Sequence, residues 1–150
     1  MNDTLRIFVD TDAFVALTIK TDANHQKATS LLHILVKKPV QFFTSNYVFS
    51  ESITVISMRS DHGTAVKYIE DMTSFESPFQ IERADEALEE EAMDLFKVQT
   101  SKNTSFVDCT NMAFMNHLPI DAIFSFDHVY KTNRYYLLED SISTKLEKAA

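Results

Sequence analysis

Four acidic residues, Asp10, Glu51, Asp108 and Asp127, stand in this 150-residue chain where a carboxylate needs a physical reason. Asp10 closes the apolar run Ile7, Phe8, Val9, and Asp127 follows Ala122, Ile123, Phe124 after Ser125 and Phe126. Glu51 falls three residues after Val48 and four before Val55, so a helical period puts it on the apolar side with Ser52. Asp108 lies in the first turn of a predicted helix capped by Ser105, where the helix dipole favours negative charge. An isolated buried carboxylate is costly, and carboxylates gathered within a few ångströms repel one another until they take up protons or hold a cation. Hard oxygen ligands suit Mg²⁺ or Mn²⁺. Such an ion orients a phosphodiester, lowers the pKa of a bound water and stabilises charge on the attacking and leaving oxygens. Hydrolysis of a nucleic-acid backbone is the chemistry this set predicts.

The elements that must gather these acids follow from periodicity. The segment RIFVDTDAF, from Arg6 to Phe14, reads as a buried strand ending at Asp10, followed by a short helix over Ala13 to Ile19 with Thr11 or Asp12 as its N-cap. Ala28, Leu31, Leu32, Leu35 and Val36 mark one face of a helix that begins near Gln26. Val40 to Thr44 suits a second strand, and a helix capped by Ser45 or Asn46 then runs to about Met58. A helix over Thr64 to Phe75 is predicted to bury Val66, Ile69, Met72 and Phe75, and Phe79 to Ile81 reads as a brief third strand. From Ala84 a further helix turns Leu88, Ala92, Leu95 and Phe96 inward and an acidic face outward. The helix from Phe106 to Asn116 carries Asp108, the strand within Ile120 to Phe126 leads to Asp127, and Tyr135 to Leu138 reads as a last edge strand. Alternating strands and helices predict an α/β domain with a mainly parallel sheet, because parallel neighbours need crossovers of helical length. Ligands collect at the carboxyl ends of such strands, and all four acids converge there.

One domain over 1–140 with a charged tail over 141–150 fits the length, and 45% apolar residues with twelve phenylalanines supply a core. Cys109 is the only cysteine, which excludes an internal disulfide and a thiolate metal cluster. No apolar run approaches the roughly 20 residues of a membrane span, and MNDTLRIF lacks a signal-like start, so a cytoplasmic protein without a membrane is expected. A net charge of −8 argues against a broad electrostatic grip on nucleic acid, although bound cations would offset the acids locally. Lys20, Lys27, Lys37, Lys38, Lys102, Lys131 and Arg134 are candidates for phosphate contacts, and each reads as well as solvated surface. His128 reads as a surface loop residue, and Cys109 as a small buried one.

Taken in order, VDTDAF with Asp10, SNYVFSESITV with Glu51, SFVDCTNMAFM with Asp108 and IDAIFSFD with Asp127 resemble the PIN domain, especially the VapC-type toxin ribonucleases, over about Ile7 to Leu138. The resemblance implies a PIN-like three-layer α/β domain, its central four- or five-stranded sheet flanked by helices. It also implies a Mg²⁺- or Mn²⁺-dependent endoribonuclease acting on RNA, frequently homodimeric and often inhibited by a cognate antitoxin. Asp10, Glu51, Asp108 and Asp127 match the family's acidic metal-binding quartet. Thr11 matches the hydroxyl residue after the first acid, Ser105 the serine three residues before the third acid, and Asp12 a position where Asn, Ser or Asp is common.

Two other readings are weighed. Asp10, Thr11, Asp12 after a buried strand also resembles the nucleophile and acid/base pair of haloacid dehalogenase-type phosphatases. Ala13 and Phe14 stand where that family expects glycine, and Glu51 and Asp108 are left without a role. A PIN fold that binds RNA or a protein without cutting is the second alternative, against which the intact acid set argues.

Overall fold

Leu5–Val9 forms β1, an inner strand of a four-stranded parallel sheet, with β2 (Val40–Ser45) on one side and β4 (Ala122–Phe124) on the other. The fourth strand, β3 (Phe79–Glu82), pairs with β2 to give the order β3-β2-β1-β4. Registers align Ile7 with Phe42, Phe8 with Ile123, and Thr44 with Ile81. This is a computed structural model, and it describes residues 3–142. Ile7, Phe8 and Val9 are all buried, as a strand covered on both faces requires.

Helices α1 (Thr11–Thr18), α2 (His25–Leu35), α3 (Asn46–Arg59), α4 (His62–Thr73), α5 (Glu86–Lys97) and α6 (Phe106–His117) supply the crossovers. Local chemistry sets their starts. Ser45, Asp61, Asp85 and Ser105 each accept a hydrogen bond from the backbone N–H three residues on, satisfying a donor that the first turn leaves unpaired. Aromatic rings then fix layer to layer: Phe8 stacks on Phe114 of α6 at 5.8 Å, and Phe14 of α1 meets Phe79 of β3 edge-on at 5.1 Å.

Several expectations shift. The N-cap of α1 is Asp10 itself rather than Thr11 or Asp12, because the strand ends at Val9 and the helix begins one residue later. In α4 the buried face is Ala65, Tyr68 and Met72, whereas Val66 and Phe75 are exposed. Tyr68 takes the inward position by packing against Phe14 and Phe49. Phe96 of α5 is exposed rather than inward and lies edge-on to Phe106. Tyr135 to Leu138 is not an edge strand. One parallel bridge joins Leu137 to Ile123, and the chain turns helical over 138–142, which buries Leu138 and Ile142 one turn apart. A short helix, α7 (Val129–Thr132), fills the span after Asp127, ending at a turn where Arg134 has φ of 70°. The expected tail over 141–150 lies mostly outside the described residues.

Candidate active site

At the carboxyl ends of the strands a cleft of about 370 Å³ is lined by Asp10, Asp12, Glu51, Asp108 and Asp127, with Thr11 and Ser105 beside them. All seven site residues expected from the sequence therefore share one hollow. A second, apolar groove lies at the opposite, amino ends of β1 and β4, around Leu5, Ile34 and Ala122, and contains none of them.

Asp10 owes its place to two local events, the end of β1 and the start of α1. Its Oδ1 accepts hydrogen bonds from the Thr11 N–H at 2.8 Å and the Asn111 amide at 3.0 Å. Its Oδ2 lies 2.8 Å from the Tyr130 hydroxyl and 3.1 Å from that of Ser125. The Tyr130 hydroxyl also lies 3.2 Å from Asp108 Oδ1 and accepts from Asn111, so one buried phenol stands between two acids carried by different elements. Asp108 is itself fixed by a capping box, in which the Ser105 hydroxyl accepts from the Asp108 N–H and the Asp108 carboxylate accepts from the Ser105 N–H.

Ser125 ties the far side together. Its hydroxyl sits 3.1 Å from both Asp10 Oδ2 and Asp12 Oδ2, and it accepts the Asp127 N–H. Asp12 Oδ2 also accepts from the Phe126 N–H at 2.8 Å, which binds α1 to the loop after β4. Strand β4 ends at Phe124, so Asp127 stands on that loop, exposed, with its carboxylate accepting from the Val129 N–H. Glu51 is half-buried. It is not on the buried side that its spacing from Val48 and Val55 predicts: the core face of α3 is Val48, Ser52 and Ile56, while Glu51, Val55 and Arg59 form a stripe at four-residue spacing along the cleft wall.

Crowding and burial set the electrostatics. Burial, followed by the Asp12 charge, pushes the Asp10 carboxyl up to about 8. Burial likewise raises Asp12 to about 6, against the hydrogen bonds from Phe126 and Ser125. Asp108 is raised by burial, with the charge of Asp127 adding to it. Asp10, Asp12 and Asp108 thus resist ionising.

Two oxygens in the cleft show what would relieve this. Asp12 Oδ1 and Thr11 Oγ1 are buried without a hydrogen-bond partner, a deficit that a hard cation or its coordinated water would fill. Among the described residues, no three His, Cys, Asp or Glu side chains stand in an arrangement that could hold a metal ion by themselves. An ion such as Mg²⁺, which keeps several waters and takes only one or two carboxylates, would be held here partly through its water shell. The donor set fits such an ion.

Sequence reasoning missed Tyr130, Asn111, Ser125 and Arg59. Asn111 follows Asp108 by three residues and so shares its helix face, a polar side chain in an apolar stretch, and this was its available signal. Tyr130 carried none, because its burial depends on a short helix that periodicity did not reveal. Of the candidate phosphate contacts, Lys20 lines a neighbouring hollow, Lys27 pairs with Glu139 and Lys131 with Asp140. His128 is exposed and Cys109 buried, as expected.

The chain is 33% identical to the 23S rRNA-specific endonuclease VapC20 of Mycobacterium tuberculosis, in strains CDC 1551 / Oshkosh and ATCC 25618 / H37Rv, over 121 residues that make up 81% of this chain and 88% of the relative. The crystal structure of Mycobacterium tuberculosis VapC20, a sarcin-ricin loop cleaving toxin, aligns with a TM-score of 0.77 and 30% identity, covering 86% of this chain and 95% of that one. The PIN domain model matches residues 7–134, a span that takes in every acid of the cleft from Asp10 to Asp127. The parallel sheet, the acids at its carboxyl edge and these likenesses have one explanation: this chain belongs to the PIN-domain family.

Proposed function

We propose that the protein is an endoribonuclease that uses Mg²⁺ or Mn²⁺ to hydrolyse RNA phosphodiester bonds, and that it is the toxin of a type II toxin-antitoxin pair. The observation carrying this reading is a cleft lined by six carboxylates, in which the most buried of them, Asp10, is pushed up to about 8. Asp10, Glu51, Asp108 and Asp127 would hold the ion, one or two of them directly and the others through its water shell, with Thr11, Ser105 and Asp12 supporting them. The bound ion supplies a water of lowered pKa and charge stabilisation on the phosphate oxygens. The chain supplies the rest. Tyr130, Asn111 and Ser125 hold the carboxylates in place, the α6 cap keeps Asp108 aimed at the cleft, and Glu51 faces them from α3.

Because the relatives are named for 23S rRNA and its sarcin-ricin loop, structured ribosomal RNA is the first substrate to try. A homodimer in the cytoplasm, restrained by a small antitoxin, completes the proposal. Among the described residues, no helix is long and apolar enough to cross a membrane. The test is incubation of the purified protein with ribosomal RNA in Mn²⁺, Mg²⁺ or chelator, alongside calorimetric titration of each ion. Discrete metal-dependent cuts are expected. RNA that binds but stays intact, with no heat of cation binding, would instead indicate a PIN fold that recognises RNA without cutting it.

A further inference from the structure

Arg59 is the only Lys or Arg among the described residues lining the acidic cleft. It stands on α3 two turns beyond Glu51, and its guanidinium Nη1 donates to Asp22 Oδ2 at 2.8 Å. Asp22 is itself held, since its Oδ1 accepts the Asn24 N–H at 2.8 Å in the turn between α1 and α2. The Asp22 side chain is only 13% exposed, whereas that of Arg59 is 47% exposed. One edge of the guanidinium is therefore anchored while other N–H groups remain open to the cleft. Past Asp22 the surface continues into a second hollow of polar character, lined by Lys20, His25 and Thr29 among others. Asp22 lines both hollows, so the two meet beside the Arg59–Asp22 pair.

We propose that Arg59, held by Asp22, is a phosphate-binding residue of the RNA site, taking a backbone phosphodiester adjacent to the one cut. The inference rests on the ribonuclease reading above. A guanidinium presents a rigid fork of donors suited to phosphate oxygens, and its charge is permanent. In a cleft lined by six carboxylates, Asp22 among them, an anionic substrate needs a cation besides the metal, and the fold places Arg59 there. A purely structural arginine, closing the C-terminal turn of α3 and pairing with Asp22, would show the same contact without affecting RNA. The two are separable by measurement.

The experiment compares wild type, Arg59→Gln, Arg59→Lys and the remote control Lys67→Ala on a labelled single-stranded RNA, read both as steady-state cleavage in Mn²⁺ and as fluorescence anisotropy in the Asp108→Asn background. Arg59→Gln should raise KM and Kd about tenfold with little change in kcat, since a charged hydrogen bond to the bound strand is lost. The slope of log Kd against log salt should fall by about 0.7, the value of one single-strand phosphate contact. Arg59→Lys should keep that slope and lose less affinity, which also serves if the glutamine variant melts early. Lys67→Ala should match wild type. Unchanged Kd and unchanged salt slope in both Arg59 variants, with or without a lower melting temperature, would overturn the proposal. If the wild type cuts no RNA at all, the ribonuclease reading falls, and the anisotropy comparison still decides Arg59.

Discussion

The hydroxyl of Tyr130 lies 2.8 Å from Asp10 Oδ2 and 3.2 Å from Asp108 Oδ1, in a position with no solvent exposure. A phenol has one hydrogen to give, and Asn111 already donates to its oxygen, so the contact holds two acids at a set spacing while satisfying only one at a time. Tyr130→Phe removes that brace. Loss of a buried hydrogen bond should lower stability by roughly 1–3 kcal/mol, and loosened ligands should weaken Mn²⁺ binding by about tenfold. Calorimetry on the folded variant checks this. Wild-type Mn²⁺ affinity would show that the phenol only fills space.

The raised carboxyls make a prediction about pH. Asp10, at about 8, and Asp12, at about 6, are protonated in the folded chain where the unfolded chain has already lost those protons near pH 4. Between those limits the folded state binds more protons, so stability is greatest below about pH 4 as far as these two groups contribute, and falls as pH rises towards 8. In chelator the melting temperature should decline from pH 5 to pH 8. Added Mn²⁺ should restore most at the upper end, where the ion replaces the protons. A metal-free melting temperature that climbs over that range would contradict the crowding.

Glu51→Gln separates ligand from scaffold. The side chain is half-buried on the cleft wall, away from the α3 core face, so the change should shift stability by no more than about 0.5 kcal/mol. Cleavage should fall by about a hundredfold or more, on the scale of a lost metal-site partner. Thermal melts and initial rates measured on one preparation settle it, and a large drop in melting temperature would instead make Glu51 a structural residue.

Ser105→Ala tests the cap that aims Asp108. Removing it should cost about 1 kcal/mol of stability. It also frees the Asp108 N–H while the backbone N–H of residue 105 still meets the Asp108 carboxylate, so the first turn that carries Asp108 loosens and metal affinity should drop together with the melting temperature. Ser105→Asn, which can still cap, should recover both.

What the sequence made legible was a matter of local pattern. Buried strands read as apolar runs, the caps of α3 and α6 as Ser45 and Ser105, and Asp10 and Asp108 as charges at a strand end and a helix start, whereas the Asp caps of α1, α4 and α5 and the cleft-wall place of Glu51 did not show. The features that did read are properties of contiguous residues. Tyr130, Ser125 and Arg59 became visible only when the chain was folded, because each works through a partner more than 30 positions away: Asp10 for the first two, Asp22 for the third. The α4 face was misread for a related reason. Val66 continues the apolar period as well as Tyr68 does, and only the rings of Phe14 and Phe49 decide for the tyrosine. Tyr135 to Leu138 looked like a strand because its residues suit one, yet β4 is only three residues long and offers a single bridge.

The proposed role of Asp10 is to serve the cleavage of RNA through a shared cation. Its most direct test is the rate of ribosomal RNA cleavage in Mn²⁺ by wild type and by Asp10→Asn, with folding of both verified by melting. Metal-dependent cutting by wild type is expected, with its abolition by chelator and a loss of at least about a hundredfold in Asp10→Asn. A folded Asp10→Asn variant that cuts at the wild-type rate would contradict it.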